Sequence, residues 1–517
     1  MTFCAIFVPD FLLQAVVRSD SALRNRSIAL LDGAAPNFHV VAANRSAGLL
    51  GVILGMTKAA AAEFAGVEII SRRKDREVSA HAALLDAAWS FSPRVEDTGV
   101  DTVLLDLAGL TTLFGSYENI ALQIKSRCLA LGLGVHVAIS ANPETARVLA
   151  CAGPGPTIVP DGQEAQFLKL LPVDLLAPSV ELIDVLRQWG VTTCGALAAL
   201  PVLSLSECVG QEGVRLHAIA SGNGQRALIL AEPVNLFEES LELDDAVEEL
   251  EPLSFLLGRL LDQLCARLLA RALATRKIFL QLELQPVFEK AFDTSREFLR
   301  KRQVSETFEC SLTLPRPVQD AKLLLKLLRL RLQSNPPKAP IQKLLMRAEP
   351  GRPVAMQTGL FLPGAPDPDK LELTLARIAS VVGENNVGFP ELLDSHRPGA
   401  IRMQKFLGSS STPSNHKKNE DSKIGFRVMR PPLPVHVTLQ DSLPTQVSFR
   451  GQTWKVVQAS GPWRSSGEWW EENPWQEDAW DLELCAPGGN GKSAASVVYC
   501  TVFDALQQKW FVRGSYD

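Results

Sequence analysis

The order of short apolar runs in the first third of the chain restricts its fold more than any other feature. Phe3-Cys-Ala-Ile-Phe-Val8 is a continuous apolar run of strand length, ended by Pro9-Asp10 and followed by the helix-like Phe11-Leu-Leu-Gln-Ala-Val-Val17. Strand-like Ile28–Leu31 and His39–Ala42 come next, then a glycine-punctuated stretch ending in Gly51-Val-Ile-Leu-Gly-Met56. A helical pattern near residues 75–90 leads to a second strand-like run from Val100 to Gly115, which contains Asp101 and Thr102. A helix near 117–131, the strand Val135–Ile139 and a further helix after Ser140-Ala-Asn-Pro143 complete the series. A βαββαβ-like order with extra strands after the first helix predicts an α+β domain carrying a small inserted domain.

Residues 166–235 read as helical, with turn signals at Leu186-Arg-Gln-Trp-Gly190 and at Cys194 to Pro201. Paired helices of this kind often present turn amides to DNA phosphates, and a plain helical subdomain has the same appearance. Over 240–347, helix and strand alternate: helix Leu253–Leu269, alternating strand Lys277–Leu284, strand Thr307–Leu314 and the basic amphipathic helix Asp320–Leu332. The polar run 409–424 predicts a disordered linker. Beyond it lies a β-rich tail with seven of the nine tryptophans: Trp454, Trp463, Trp469, Trp470, Trp475, Trp480 and Trp510. Such density points either to a small aromatic core or to a partner-binding surface.

A chain of 517 residues has room for three or more domains. Its nine cysteines are scattered without a Cys-x-x-Cys pair, which argues for a reducing compartment and against structural zinc. No apolar run of membrane-spanning length and no basic signal-peptide flank is present, so a cytoplasmic protein without membrane contact is expected. The net charge of −5 is not that of a polycation. Locally, however, Glu251–Glu349 holds 18 Lys+Arg against 10 Asp+Glu, a net of +8. That excess favours phosphate contact or forms solvated helix faces.

Several segments, in order, resemble one family. Val100-Asp-Thr-Val-Leu-Leu-Asp-Leu resembles the carboxylate strand of the Y-family (translesion) DNA polymerases, where an Asp-Glu pair precedes Leu-Asp-Val-Thr. Val40 to Met56 resembles their fingers motif ending in Gly-Val-x-x-Gly-Met, and Val137 to Arg147 resembles a later palm motif. Phe7-Val-Pro-Asp-Phe11, Asp394-Ser-His-Arg-Pro398, Ser460 to Trp470 and Trp510 to Asp517 are similar to a degenerate branch found in bacterial mutagenesis cassettes. The resemblance implies an α+β multidomain fold: a palm over 1–165 with fingers inserted at about 20–80, a helical thumb over 166–235, and a little finger over 240–347. A clamp-binding peptide with a helical extension would follow at 348–408, the linker at 409–424 and an interaction region at 425–517.

The same resemblance implies lost chemistry. Two-metal phosphoryl transfer needs several carboxylates on one site, because closely spaced divalent ions must be neutralised. Aligning Phe11-Leu12 with the family's two aromatics puts Phe7 at the first metal-binding position, and the catalytic Glu becomes Thr102. Asp101 alone persists; Asp106 matches an Asp that is usually structural. The triphosphate-contacting Tyr and Arg fall at Arg45 and Gly48, while Arg147 keeps a cation for residual phosphate contact. A rival alignment recruits Asp10 as a replacement ligand. The expectation is a pseudo-polymerase with no metal and no cofactor. Arg271, Arg276, Lys277, Arg300, Lys301 and Arg302 are its candidates for weak, non-specific binding of DNA primer-template.

Gln357-Thr-Gly-Leu-Phe361 resembles the bacterial sliding-clamp-binding pentapeptide, in which Gln357 would bond at a pocket rim that Leu360 and Phe361 fill. Pro353 and Pro363 keep the segment out of a helix, and an edge strand burying Leu360 and Phe361 is the alternative. The implied partners are the β sliding clamp, an error-prone C-family DNA polymerase and a RecA-like accessory protein. SOS-induced expression and nucleoid association would accompany them.

Overall fold

Alternation of inward and outward side chains sets the layers. In this computed structural model the described residues are 2–353 apart from 35, 225 and 286–306, scattered positions between 374 and 404, and 425–516 apart from 450, 471–473 and 486–495. The chain divides into two compact units, 1–381 and 382–517.

In the first unit, strand β1 (Phe3–Phe7), apolar at every position, leads into α1 (Phe11–Ser19). An insertion follows, with β2 (Ser27–Ala34), β3 (Asn37–Ala43), α2 (Arg45–Leu49), α3 (Lys58–Ala62) and β4 (Val67–Ser71). Its three strands pair in the order β3-β2-β4 over a separate small core that includes Leu31, Val40 and Val52. The chain returns through α4 (Lys74–Trp89), which buries Ala80, Ala83, Leu84, Ala87 and Ala88. That spacing is one stripe of a 3.6-residue helix. Strands β5 (Val95–Gly99) and β6 (Thr102–Asp106), helices α5 (Thr111–Phe114) and α6 (Tyr117–Ala130), β7 (His136–Ser140), α7 (Pro143–Ala152) and β8 (Pro156–Ile158) complete the domain. The sheet order is β5-β6-β1-β7-β8, with β1 central and antiparallel to both neighbours.

The period of two decides which helix meets which face. Cys4, Ile6 and Val8 point to the core shared with α4 and α6. Ala5, Leu104 and Ala138 point to the opposite core, shared with α7 and with α8 (Glu164–Leu168), α9 (Val180–Gln188), α10 (Cys194–Ala198) and α11 (Val202–Ala220). Asn142 caps α7 by accepting from the Glu144 and Thr145 amides, with Pro143 in the first turn.

The α+β module that follows contains β9 (Phe237–Val247), α12 (Leu250–Ala270), β10 (Ala274–Leu284), β11 (Thr307–Val318), α13 (Ala321–Ser334) and β12 (Ile341–Gly351). Its antiparallel sheet runs β11-β10-β12-β9. Ile278, Leu280, Leu282 and Leu284 of β10 face a leucine-rich core against both helices. Among the described residues no helix is long and apolar enough to cross a membrane.

Within the range 348–408, where a helical extension is expected, the described residues 374, 375, 377–379 and 382 are helical, and strands follow them. Strands β13 (Phe389–Leu392) and β14 (Ile401–Gln404) form a two-stranded sheet. Pro390 inside the first strand and Pro398 between the two are incompatible with a continuous helix. The tail is a closed antiparallel barrel of β15 (Phe426–Gln440), β16 (Leu443–Phe449), β17 (Gln452–Gly467), β18 (Trp475–Cys485), β19 (Val497–Asp504) and β20 (Lys509–Tyr516). Asp441 and Ser442 both adopt positive φ, 51° and 66°, in the two-residue loop joining β15 to β16. Positive φ at both loop residues matches the turn's twist to that of the strands. The tryptophans divide: Trp475 and Trp480 are buried, Trp454 and Trp510 pack against the barrel core, and Trp463, Trp469 and Trp470 are exposed. The aromatic-core reading therefore holds for the first four, while the other three rings face solvent.

Candidate functional site

The end of β1 and the start of β6 meet in the middle of the sheet. Phe7 is paired across the ladder with Thr102 on one side and with His136 on the other, its ring 5.9 Å from the imidazole. Phe7 is half-buried and packs against the core shared with α7. Asp101, expected within a strand, instead occupies the turn before β6. The strand begins one residue later because Asp101 closes the turn from β5, its carbonyl accepting from the Val8 amide at 2.8 Å. Its carboxylate accepts from the Thr102 hydroxyl at 2.8 Å. Positions 7, 101 and 102 are thus adjacent in space, and among them only Asp101 carries a carboxylate. A phenyl ring offers Mg²⁺ no oxygen, and a neutral hydroxyl offers it none of the negative charge of a carboxylate. Among the described residues no three His, Cys, Asp or Glu side chains gather into a metal-holding group.

Asp10 lies beyond the strand end, exposed and at φ 48°, where its carbonyl accepts from the Leu13 and Gln14 amides. Asp106 is buried at the far end of β6, ion-paired with Arg94 at 3.0 Å and accepting from the Ala108 amide. Arg45 and Gly48 are exposed on α2 of the inserted sheet.

Arg147 is engaged with its own helix, its Nε donating to Glu144 Oε2 at 3.0 Å. Glu144 also accepts from Arg226 at 2.6 Å, and Arg226 forks onto both oxygens of Glu96 at 2.6 and 2.7 Å. The Ile229 amide bonds to Glu96 at 2.7 Å, and the Ala231 amide bonds to the β5 carbonyl of Val95 at 2.8 Å. These bonds fasten the segment leaving α11 along the edge of the five-stranded sheet. Burial pushes both carboxyls up, but the bonds from Arg226, the Ile229 amide and the Arg147 charge outweigh it and hold Glu96 and Glu144 below the usual range. Depressed carboxyls contribute stability above their unfolded value of about 4.3 and lose it as pH falls through the folded value. Amide exchange at Ile229 and Ala231, corrected for intrinsic rates, should therefore accelerate between about pH 5 and pH 3. Arg226→Ala should show the fast rate already at neutral pH. Equal protection at both pH values would refute this.

The DNA-binding candidates are separated by the fold. Arg271 is largely enclosed, donating to the Val234 carbonyl and Asn235, pairing with Asp86 at 3.5 Å and covering the Trp89 and Phe237 rings. Arg276 is exposed at a register shift in β10, and Lys277 lies 4.3 Å from the Phe279 ring centroid. Arg300, Lys301 and Arg302 lie outside the described residues, as do Gln357, Leu360 and Phe361.

Sequence reasoning missed a buried charge network at the junction of α1, α4 and the module. Arg18 bonds to Glu239 at 3.0 Å and to Ser79, while Arg267 bonds to Asp86 at 2.7 Å and to Glu239 at 3.2 Å. The one available signal was charge inside apolar helix: Arg18 follows two valines, and Arg267 sits in Leu264-Cys-Ala-Arg-Leu-Leu269.

Residues 6–151 match the impB/mucB/samB family model. The chain is similar to Protein ImuB of Caulobacter vibrioides, 26% identical over 393 residues that cover 75% of this chain and 81% of that protein. It is also similar to a DNA polymerase IV of Dehalococcoides mccartyi, 29% identical over 198 residues, covering 37% of this chain and 50% of that protein. Among solved structures, DinB from Sulfolobus solfataricus aligns over 68% of this chain and 99% of its own, with 15% identity and a TM-score of 0.38.

Proposed function

We propose that this ImuB-like chain, polymerase-like and related to DNA-damage processing, is a non-catalytic adaptor in SOS-induced translesion synthesis and mutagenesis. The observation that carries the reading is the register that sets Phe7 against Thr102, leaving Asp101 as the single carboxylate of the three aligned positions. The adaptor would hold DNA primer-template weakly, dock on the β sliding clamp through Gln357, Leu360 and Phe361, and recruit an error-prone C-family DNA polymerase and a RecA-like accessory protein. The exposed Trp463, Trp469 and Trp470 of the barrel are candidates for the second task, since exposed aromatic clusters commonly anchor partners.

The clamp assignment has a direct test. Immobilised sliding clamp should retain the intact chain and fail to retain the Gln357→Ala/Leu360→Ala/Phe361→Ala variant, a loss of about tenfold or more if these side chains are the anchors. Equal retention of both proteins would remove the pentapeptide from the reading.

A second reading, a slow translesion polymerase with a rebuilt metal site, is favoured by the similarity to proteins named DNA polymerase IV. Primer extension separates the two.

A further inference from the structure

The small inserted domain leaves large aliphatic side chains out of its own core. That core is built around Ala29, Leu31, Val40, Ala47, Val52 and Ala61. The stretch Leu49 to Leu54 holds four further large aliphatics, and none of them belongs to it. Leu49 is 80% exposed, Leu50 45%, Ile53 65% and Leu54 63%. A single exposed leucine is ordinary, whereas four such side chains in so short a stretch make one apolar patch.

Backbone bonds fix the patch in place. The Leu50 and Val52 amides both bond to the Ala47 carbonyl at 3.1 Å, and Val52 is buried as an anchor. Ile53 to Met56 form a turn, closed from the Met56 amide to the Ile53 carbonyl at 3.3 Å, with Gly55 at φ 84°. Two more bonds fasten that turn to β3: Gly55 amide to Val40 carbonyl and Val40 amide to Met56 carbonyl, both 2.8 Å. A surface already ordered gives up little conformational freedom when it binds.

The charges beside the patch are of one sign. From Gly33 to Ala62 the sequence contains Arg45 and Lys58 and no carboxylate. Arg45 is exposed and opens α2 one helical turn before Leu49, so the two share a face. Lys58 is exposed and opens α3 two residues after the turn. The insertion's Asp32 and Glu68 are held by Arg72 and Arg26, and Glu63 stands at the opposite end of α3 from Lys58. A second copy of this chain would bring like charges together across the patch, which disfavours it as occupant. Nucleic acid is disfavoured too, because aliphatic side chains offer bases no ring to stack on.

We infer that the Leu49–Leu54 patch is the docking site for an acidic amphipathic segment of a protein partner. The segment's apolar side chains would cover the four aliphatics while its carboxylates face Arg45 and Lys58. This adds a recruiting surface to the adaptor reading and depends on neither the pentapeptide nor the tail.

The test is fluorescence anisotropy of two labelled helical peptides of equal length, one of leucine, alanine and glutamate and the other of leucine, alanine and lysine. Each is titrated with the full chain. The glutamate peptide should bind about tenfold or more tightly than the lysine peptide, since the rim cations select between them. Leu49→Ser/Ile53→Ser/Leu54→Ser should weaken the glutamate peptide by about tenfold or more. Arg45→Glu/Lys58→Glu should reverse the preference in favour of the lysine peptide. Should circular dichroism show that the serine variant is unfolded, the charge-reversal variant decides alone. Equal binding of the two peptides, no binding of the glutamate peptide, or an unreversed preference would each overturn the inference, as would parent-like binding by a folded serine variant. A labelled single-stranded oligonucleotide bound by the parent and released by the serine variant would assign the patch to nucleic acid instead. Self-association in sedimentation that the same variant abolishes would assign it to a second copy, and either result overturns the inference. All of these outcomes leave the clamp and primer-extension tests of the adaptor reading untouched.

Discussion

A labelled primer annealed to a longer template, incubated with this chain, the four dNTPs and Mg²⁺ or Mn²⁺, is expected to remain unextended. Metal ions supply several kcal/mol of charge stabilisation to phosphoryl transfer. At about 1.4 kcal/mol per factor of ten, their loss removes on the order of a thousandfold or more. Phe7 contributes no oxygen, and the Thr102 hydroxyl is spent on Asp101 at 2.8 Å rather than aimed at an ion. Asp101→Ala is therefore expected to change nothing in this assay. Incorporation that disappears on Asp101→Ala would sink the adaptor-only reading and leave the slow polymerase in its place. Incorporation that survives that substitution would point to a contaminating polymerase.

The second large effect concerns stability. Glu239→Ala is expected to destabilise the first unit by about 3–5 kcal/mol, the range for removing one partner of a buried ion pair. Glu239 is 1% exposed and bonded to Arg18, Arg267 and Ser79 at once. Burial pushes its carboxyl up, but the Arg18 and Arg267 charges prevail and hold it below the usual range. The substitution leaves two enclosed guanidiniums short of a carboxylate, and desolvated charge is expensive. Urea unfolding followed by tryptophan fluorescence should show a lower midpoint at an unchanged slope. Glu239→Gln, which preserves shape without charge, should also destabilise. A shift below about 1 kcal/mol in both variants would show that the network contributes little beyond what water would provide.

Particular residues show what was legible beforehand. The apolar run Phe3 to Val8 became the central strand, and the stripe of alanines and leucines in α4 became its cover, because local periodicity already states which side faces a core. The helix expected over Asp320–Leu332 appears as Ala321–Ser334, within a residue or two at each end. Asp101 was misplaced by one residue because a turn's closing position leaves no periodic mark. Arg271 and Arg147 looked like free cations since nothing in their neighbourhoods announces a partner; those partners come from Val234, Asn235, Asp86 and Glu144. The β13–β14 pair was hidden for a similar reason, its two short strands lacking a decisive alternation.

By itself, the sequence determined which side chains stand at positions 7, 101 and 102: a phenylalanine, one carboxylate and a threonine. It also determined the strands and helices whose patterns repeat within a few residues. Only the tertiary structure decided that Phe7 lies against Thr102 and that Arg18 finds Glu239 across 221 positions. The physical reason is range. Periodicity reports a residue's own turn or strand, whereas a charge is defined by its neighbours in space, and those are chosen by strand order and helix packing.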